Sequence, residues 1–161
     1  RGGYALIDAQ DEQGMWTFRK KDRSTWGQIL MPWTYSRWIR AYALVREGMP
    51  GEARARWEKG LLLGFEGISR TCLERLHNIP AHHAMGLYCA GIVFSREAWK
   101  AQAAAFLGRI AAAQSPDGWW PEHDGPVVAY NFVYSDALGV YYSMSGDKTG
   151  LAALGRAARR S

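Results

Sequence analysis

The chain has 161 residues, of which 48% are hydrophobic, so it fits one globular domain with a sizeable core. Its net charge of +5 permits a polyanionic ligand, but no recognised nucleic-acid motif is present, and nucleic acid is not expected as a partner. No apolar run approaches the roughly 20 residues that span a bilayer, so no membrane partner is expected either.

Apolar residues recur at helical spacing along most of the chain, and clusters of Gly or Pro interrupt them. Residues 4–10 have the pattern of the tail of an outer helix, and the one strand that the pattern favours lies near 15–18. The predicted helices then cover residues 34–47, 52–76, 80–94, 95–114 and 127–144, followed by a short helix at the end. These helices make three helical hairpins.

Two kinds of internal recurrence accompany the helices. Residues 9–16 match residues 113–120, since both segments carry Ala-Gln, then Gly, then Trp two positions later. Tyr42, Tyr88 and Tyr141 follow similar segments and stand 46 and then 53 residues apart. Such self-similarity is typical of repeat architectures, with a unit here of about fifty residues. For the three tyrosines we expect core packing.

The predicted helices alternate in character, which indicates two layers. Helices with small residues such as Gly86, Gly91 and Gly139 suit an inner layer, because small residues let helices approach closely, and Ala/Arg-rich helices suit an outer layer. The sequence therefore predicts an all-α fold of helical hairpin repeats, an incomplete (α/α) toroid, with residues 1–161 as a single toroid-like domain. Three hairpins are about half of a closed ring, and the first residue is Arg, so a fragment of a larger toroid is expected.

If the inner helices start on one side of the array, the loops before them meet at one rim. All four histidines of the chain fall at these predicted starts. Aromatic residues make up 13% of the chain, which favours a groove that stacks sugars or other planar ligands, although large rings also fill cores. The candidate residues at the rim are Trp33, Tyr35, His77, Asn78, His82, His83, Trp119, Trp120, Glu122, His123, Asp124, Tyr130, Asn131 and Tyr134.

Several of these candidates have structural alternatives. Neighbouring residues of a helix point about 100° apart, so one of His82 and His83 is expected at the surface or in a cap. Asn78, two residues before Pro80, could be a helix N-cap. No HExxH motif and no pair of histidines at i,i+4 is present, so neither a metal site nor a cofactor is expected.

The turn from Gln114 to Glu122 has the pattern Gln-x-x-Asp-Gly-x-Trp-x-Glu, and it resembles turns of α/α-toroid carbohydrate-active enzymes. The segment from Asn78 to His83, followed by Tyr130-Asn131-Phe132-Val133-Tyr134, is similar to the toroid of alginate lyases and heparinase II/III-like polysaccharide lyases. In that family an Asn, a His and a Tyr from inner-helix starts form the site. The resemblance covers about residues 75–147.

The resemblance implies β-elimination on a uronate-containing polysaccharide, so the expected partner is an acidic polysaccharide or oligosaccharide, and the expected location is secreted or periplasmic. Asn78 would bind the C6 carboxylate, with His82 or His83 as its partner or as the base. Tyr130 or Tyr134 would serve as base or acid, its pKa lowered by nearby cationic groups. The substrate-binding groove would be formed by Trp33, Tyr35, Trp119, Trp120, Glu122 and His123.

Three alternatives remain open from the sequence. A glycoside hydrolase or sugar epimerase on the same scaffold would use Glu122 or Asp124 as an essential carboxylate. A terpenoid cyclase, whose turns carry a related Gln-Gly-Trp signature, would have an apolar cavity instead of an anionic sugar site. A non-catalytic helical-repeat module would bind a partner through exposed aromatic residues.

Overall fold

The computed structural model describes residues 2–122 and 125–159, and it is mostly helical, with a minor antiparallel component. The predicted all-α class is therefore confirmed. The helices within the described residues are α1 (Gly2–Asp8), α2 (Pro32–Val45), α3 (Gly51–Thr71), α4 (Asn78–Val93), α5 (Glu97–Ala112), α6 (Val128–Ser145) and α7 (Lys148–Ala158). The short strands are β1 (Trp16–Arg19), β2 (Thr25–Ile29), β3 (Pro121–Glu122) and β4 (Gly125–Pro126).

The helix boundaries differ from the predicted ones mainly at prolines and at the end of α3. Helix α2 begins at Pro32, which suits the first helical position because its missing N–H would have no partner there. Helix α4 begins at Asn78 with His77 as its cap, so the interpretation of Asn78 as the N-cap is wrong. Helix α3 ends at Thr71 and not near 76, and a short irregular segment leads into α4.

Helices α2, α4 and α6 lie side by side and run in the same direction. Helices α2 and α4 meet near their starts where Trp33 stacks on His82, and near their ends where Tyr42 stacks on Phe94. Helices α4 and α6 likewise meet through His82 and Asp136, and later through Tyr88 and Tyr141. Helix α4 packs between α2 and α6 and also against α5, and twelve of its sixteen residues are buried. Helices α3, α5 and α7 pack against α2, α4 and α6 respectively, which gives the three predicted helix pairs.

The spaced tyrosines lie on α2, α4 and α6, which we call the inner helices, and we call α3, α5 and α7 the outer helices. Tyr42 and Tyr141 are buried, and Tyr88 is half-buried with its ring 4.9 Å from that of Tyr141 in an edge-on contact. The expectation of core packing for these residues is confirmed. Among the described residues no helix is both long and apolar enough to cross a membrane.

The predicted strand near 15–18 is β1, and it pairs with a second strand that was not predicted. Strands β1 and β2 form an antiparallel hairpin with a register shift between Phe18 and Arg19. The connecting turn is closed by Asp22, whose carboxylate accepts hydrogen bonds from the backbone and hydroxyl of Ser24. Strand β2 contains Gly27 with a positive φ of 81° and little apolar alternation, so its sequence signal is weak.

The two matching segments of sequence fold into matching turns. Gly14 and Gly118 have positive φ values of 79° and 85°, which only glycine adopts without strain. After each glycine a tryptophan turns back onto the preceding helix: the indole N–H of Trp16 donates to the carbonyl of Leu6, and that of Trp120 to the carbonyl of Ile110. Each turn is followed by a short antiparallel strand pair and then by an inner helix.

Candidate functional site

The starts of α2, α4 and α6 bring polar side chains together in two neighbouring groups. The first is buried and consists of Asn78, Glu122 and Tyr134, and we call it the Glu122 network. The second lies across the three inner helices and consists of Trp33, Arg37, His82 and Asp136, and we call it the His82 cluster. Both groups contain residues that the sequence predicted for the rim.

In the Glu122 network one carboxylate oxygen accepts every hydrogen bond. Oε1 of Glu122 lies 3.1 Å from the backbone nitrogen of Asn78, 2.9 Å from its side-chain nitrogen and 2.5 Å from the Tyr134 hydroxyl. All three side chains are buried. The network thus ties strand β3 to the first turn of α4 and to α6, and its carboxylate is held by three donors.

The protonation states of this network follow from its contacts. Burial raises the pKa of Glu122, but the hydrogen bonds from Tyr134 and Asn78 outweigh burial and leave that pKa below its ordinary value. Burial and the adjacent Glu122 carboxylate raise the pKa of Tyr134 well above its ordinary value. The prediction that cationic groups lower the pKa of Tyr134 is therefore wrong, and this phenol is a protonated donor and not a base.

His82 contacts a tryptophan and a carboxylate, and its lowered pKa favours the neutral imidazole at neutral pH. Its ring stacks on Trp33 with centroids 5.9 Å apart and an interplanar angle of 16°, and its Nε2 lies 3.6 Å from Oδ2 of Asp136. Burial lowers its pKa, and although Asp136 acts in the opposite direction, Arg37 and Arg40 lower it further. A neutral imidazole beside a carboxylate can accept a proton, and the carboxylate stabilises the imidazolium that results.

His83 faces a different part of the molecule. Its Nε2 is 2.7 Å from the carbonyl oxygen of Leu30, and burial lowers its pKa to about 4. Both histidines are buried, so the expectation that one of them lies at the surface or in a cap is wrong. The two rings point in different directions, as neighbours on a helix must. Both are nevertheless buried, because α2 and α6 pack against α4 on either side. His83 anchors the chain before α2 to α4.

The remaining candidates divide by exposure. Tyr35 and Trp120 are almost completely buried, so neither ring offers a face to a sugar, and their assignment to the substrate groove is corrected to core packing. Trp33 and Trp119 are half-buried, and Tyr130 is 38% exposed at the start of α6. His123 and Asp124 lie outside the described residues.

The sequence interpretation missed the charged residues that face His82. Arg37 is five residues before Tyr42 on α2, and Asp136 is five residues before Tyr141 on α6. The two charged residues therefore occupy equivalent positions on their helices. That shared register is visible in the sequence, where residues 136–141 resemble residues 83–88, but the recurrence by itself does not indicate a charged cluster. Arg40 lies one turn after Arg37 on the same helix and also acts on His82.

Within residues 2–122 and 125–159, no group of three His, Cys, Asp or Glu side chains is arranged to hold a metal ion. Comparison of the chain with protein-family models, with curated proteins and with solved structures found no significant match. Any functional inference therefore depends on the geometry of the site.

Proposed function

We propose that the protein is a carbohydrate-active enzyme of the polysaccharide lyase type that cleaves a uronate-containing polysaccharide by β-elimination. The observation that supports this proposal is the His82 cluster. It combines a neutral imidazole, a stacked tryptophan and a nearby carboxylate with two arginines that act on the same ring. These are the groups that the elimination of an anionic sugar requires.

In the proposed reaction, Arg37 and Arg40 bind the C6 carboxylate of a uronate and neutralise its charge, which makes the C5 proton more acidic. Nε2 of His82, at the edge of the ring that faces the exposed side chain of Asp136, takes that proton, and the Asp136 carboxylate stabilises the imidazolium. The C4–O bond then breaks, its electron pair leaves on the glycosidic oxygen, and a double bond forms between C4 and C5. Tyr130, whose phenol is exposed in the first turn of α6, donates the proton that this oxygen needs.

The Glu122 network has a supporting role in this proposal. Asn78 donates to Glu122 from its backbone N–H and from its side-chain amide, so the carboxylate-binding role first expected for Asn78 passes to the arginines. A hydrolase that used Glu122 as its acid is less well supported, because a buried carboxylate with three donors on one oxygen and a lowered pKa holds a proton poorly. The network instead fixes the start of α4, from which His82 projects one turn later.

We also propose that the helix pairs are part of an (α/α) toroid. Three inner helices that run in the same direction, an outer helix beside each, and two matching turns support this architecture. In such an arrangement the inner-helix starts form one end of the array, where the His82 cluster stands.

The test is an activity assay on a panel of uronate polymers that follows the ultraviolet absorption of the 4,5-unsaturated product. We expect His82→Ala to lower kcat by about 100-fold or more, because it removes the general base. The control is Phe132→Ala, which removes an exposed ring of α6 outside the cluster and is expected to leave kcat unchanged. New reducing ends without the unsaturated product would indicate hydrolysis and contradict the proposal, as would full activity of His82→Ala.

A further inference from the structure

A cleft of about 310 Å³ lies between the β1–β2 hairpin and the starts of α2 and α4. Its walls are mainly apolar and aromatic, with Phe18 and Trp26 from the hairpin and Trp33 and Ile79 from the helices. Polar side chains are few, and Gln28 is one of them. Clefts of this kind, with ring faces and a few polar groups, are typical of small-molecule and sugar sites.

Trp26 is the most unusual residue of this cleft because it is 56% exposed. Phe18 supports it from the neighbouring strand, with ring centroids 4.6 Å apart and planes inclined by 19°. The ammonium group of Lys20 is 5.7 Å from the centre of the Trp26 ring. A tryptophan held rigidly by a second ring, yet open to solvent, can stack on a flat apolar surface such as a sugar face.

The hairpin turn that follows Phe18 is strongly basic. Residues 19–23 contain four cationic side chains and one carboxylate, and all five residues are exposed. The carboxylate of Asp22 is engaged by Ser24 within the turn. Exposed cationic side chains beside an exposed aromatic ring complement a ligand that carries carboxylates or sulfates along a chain of rings.

The cleft also adjoins the His82 cluster. Trp33 lines the cleft, and the same residue stacks on His82. His83, the sequence neighbour of His82, lies in the cleft wall, and no hydrogen-bond partner for its Nδ1 is found among the described residues. A polymer bound at His82 could therefore extend past Trp33 towards the hairpin.

We propose that the cleft and the hairpin turn form a binding subsite for an acidic glycan. One sugar ring stacks on Trp26, and the acidic groups of adjoining sugars pair with the cationic side chains of the turn. This inference depends on the proposed function for the nature of the polymer, but it assigns a separate role, polymer binding, to residues that take no part in the chemistry.

The test measures binding of alginate, polygalacturonate and heparin to the whole protein, with dextran as an uncharged polymer and poly(dT) as a nucleic-acid polyanion. We expect at least one acidic glycan to bind more tightly than dextran and poly(dT). Trp26→Ala should weaken that binding roughly tenfold, and Trp26→Phe should restore most of it. Replacing Lys20 and Lys21 by Gln should weaken binding and make it less dependent on salt concentration.

Two matched controls lie in α6 and α7 and do not line the cleft. Phe132→Ala removes a ring that is 64% exposed, and Lys148→Gln removes an exposed charge at the start of α7. Both variants should bind like the unchanged protein. Circular dichroism verifies that each variant is folded. The inference is overturned if Trp26→Ala binds like the unchanged protein, if poly(dT) binds more tightly than every acidic glycan, or if no acidic glycan binds.

The same experiments separate this inference from the proposed function. Binding that depends on Trp26, without any elimination product, would contradict the proposed function and support the subsite. Elimination activity whose KM is unaffected by Trp26→Ala would support the proposed function and overturn the subsite. His82→Ala should lower kcat by about 100-fold or more while leaving the affinity for the acidic glycan within about twofold, because His82 does not line the subsite.

Discussion

Tyr35 and Tyr134 stand at equivalent places in the molecule, but their hydroxyl groups have different partners. Each ring packs against the tryptophan of the turn before its helix, Trp16 at 4.9 Å and Trp120 at 5.0 Å between centroids. The hydroxyl of Tyr35 donates to the carbonyl of Gly14, whereas that of Tyr134 donates to the carboxylate of Glu122. The Tyr35 phenol therefore closes a turn, whereas the Tyr134 phenol donates to a charged side chain.

The glutamines of the two turns show the same divergence. Gln10 donates to the Tyr35 hydroxyl and to the carbonyl of Gly60 in α3. Gln114 donates to the carbonyls of Gly118 and Ala153, the second of these in α7. Both therefore link their turn to the following outer helix, but only the first also satisfies the phenol. In the second region the glutamine does not contact the phenol, so the Tyr134 hydroxyl donates to the Glu122 carboxylate instead. A turn that is otherwise structural thereby contributes to the Glu122 network.

The largest difference in stability between the two regions is expected when the central acceptor of one, Glu122, or the central donor of the other, Gln10, is replaced by alanine. Glu122→Ala leaves the Tyr134 hydroxyl and two N–H groups of Asn78 buried without their acceptor, and we expect it to lower the free energy of unfolding by about 3 kcal/mol. Gln10→Ala, in a partly buried position, should cost about 1 kcal/mol. Urea denaturation measures both, and equal losses would show that the carboxylate is no more important than the turn glutamine.

The turn glycines should respond more alike. Alanine at position 118 would have a strained positive φ, and its Cβ would lie 2.5 Å from the carbonyl oxygen of Arg156. At position 14 the Cβ would lie 2.9 Å from the Tyr35 hydroxyl and 3.0 Å from the backbone of Gly64. We expect each substitution to lower the free energy of unfolding by about 2 kcal/mol, with the larger loss at Gly118.

The control for the glycines is Gly108→Ala in α5. A Cβ there meets no atom within 4 Å, so the substitution should stabilise the protein by about 0.5 kcal/mol through the higher helix propensity of alanine. Thermal unfolding should thus shift in opposite directions for the turn glycines and the control. A neutral result at Gly14 or Gly118 would mean that the turn can relax away from the outer helix.

Local sequence patterns predicted the helices well because apolar periodicity and Gly or Pro interruptions are local properties. They also placed Asn78, Glu122 and Tyr134 near one another, since all three precede or begin inner helices. They could not predict that Glu122 and Asn78 share a hydrogen bond, because the rotation of one helix against the next depends on the whole core. Strand β2 was missed since exposed polar residues and Gly27 hide its alternation.

The aromatic residues illustrate the limit of composition. Trp120 and Trp33 both follow a turn near an inner helix, and sequence alone gave both the same role. The indole N–H of Trp120 is satisfied by a buried carbonyl, so its ring belongs to the core, whereas Trp33 stays partly open beside His82. The two cases differ in burial, which depends on the packing of the whole core around each ring and not on the local sequence.

A third effect, smaller than the losses expected at Glu122 and at the turn glycines, is the most specific to the comparison, because it depends on pH. Tyr134→Phe should lower the free energy of unfolding by about 1.5 kcal/mol at neutral pH, where the phenol donates to an ionised carboxylate, and Tyr35→Phe should lower it by about 1 kcal/mol.

The pH dependence follows from Glu122, whose folded-state pKa lies below its ordinary value of 4.5. The stability that its ionised form contributes is therefore fully present above pH 4.5 and is lost as the pH falls through the folded-state pKa. Removing the Tyr134 hydroxyl removes part of the cause of that lowering. The cost of Tyr134→Phe should therefore shrink on acidification from pH 7, while the cost of Tyr35→Phe should stay constant, because the acceptor of Tyr35 is a backbone carbonyl. Denaturation of the two variants and the unchanged protein at several pH values measures this, and parallel curves for both tyrosines would contradict a charged partner for Tyr134.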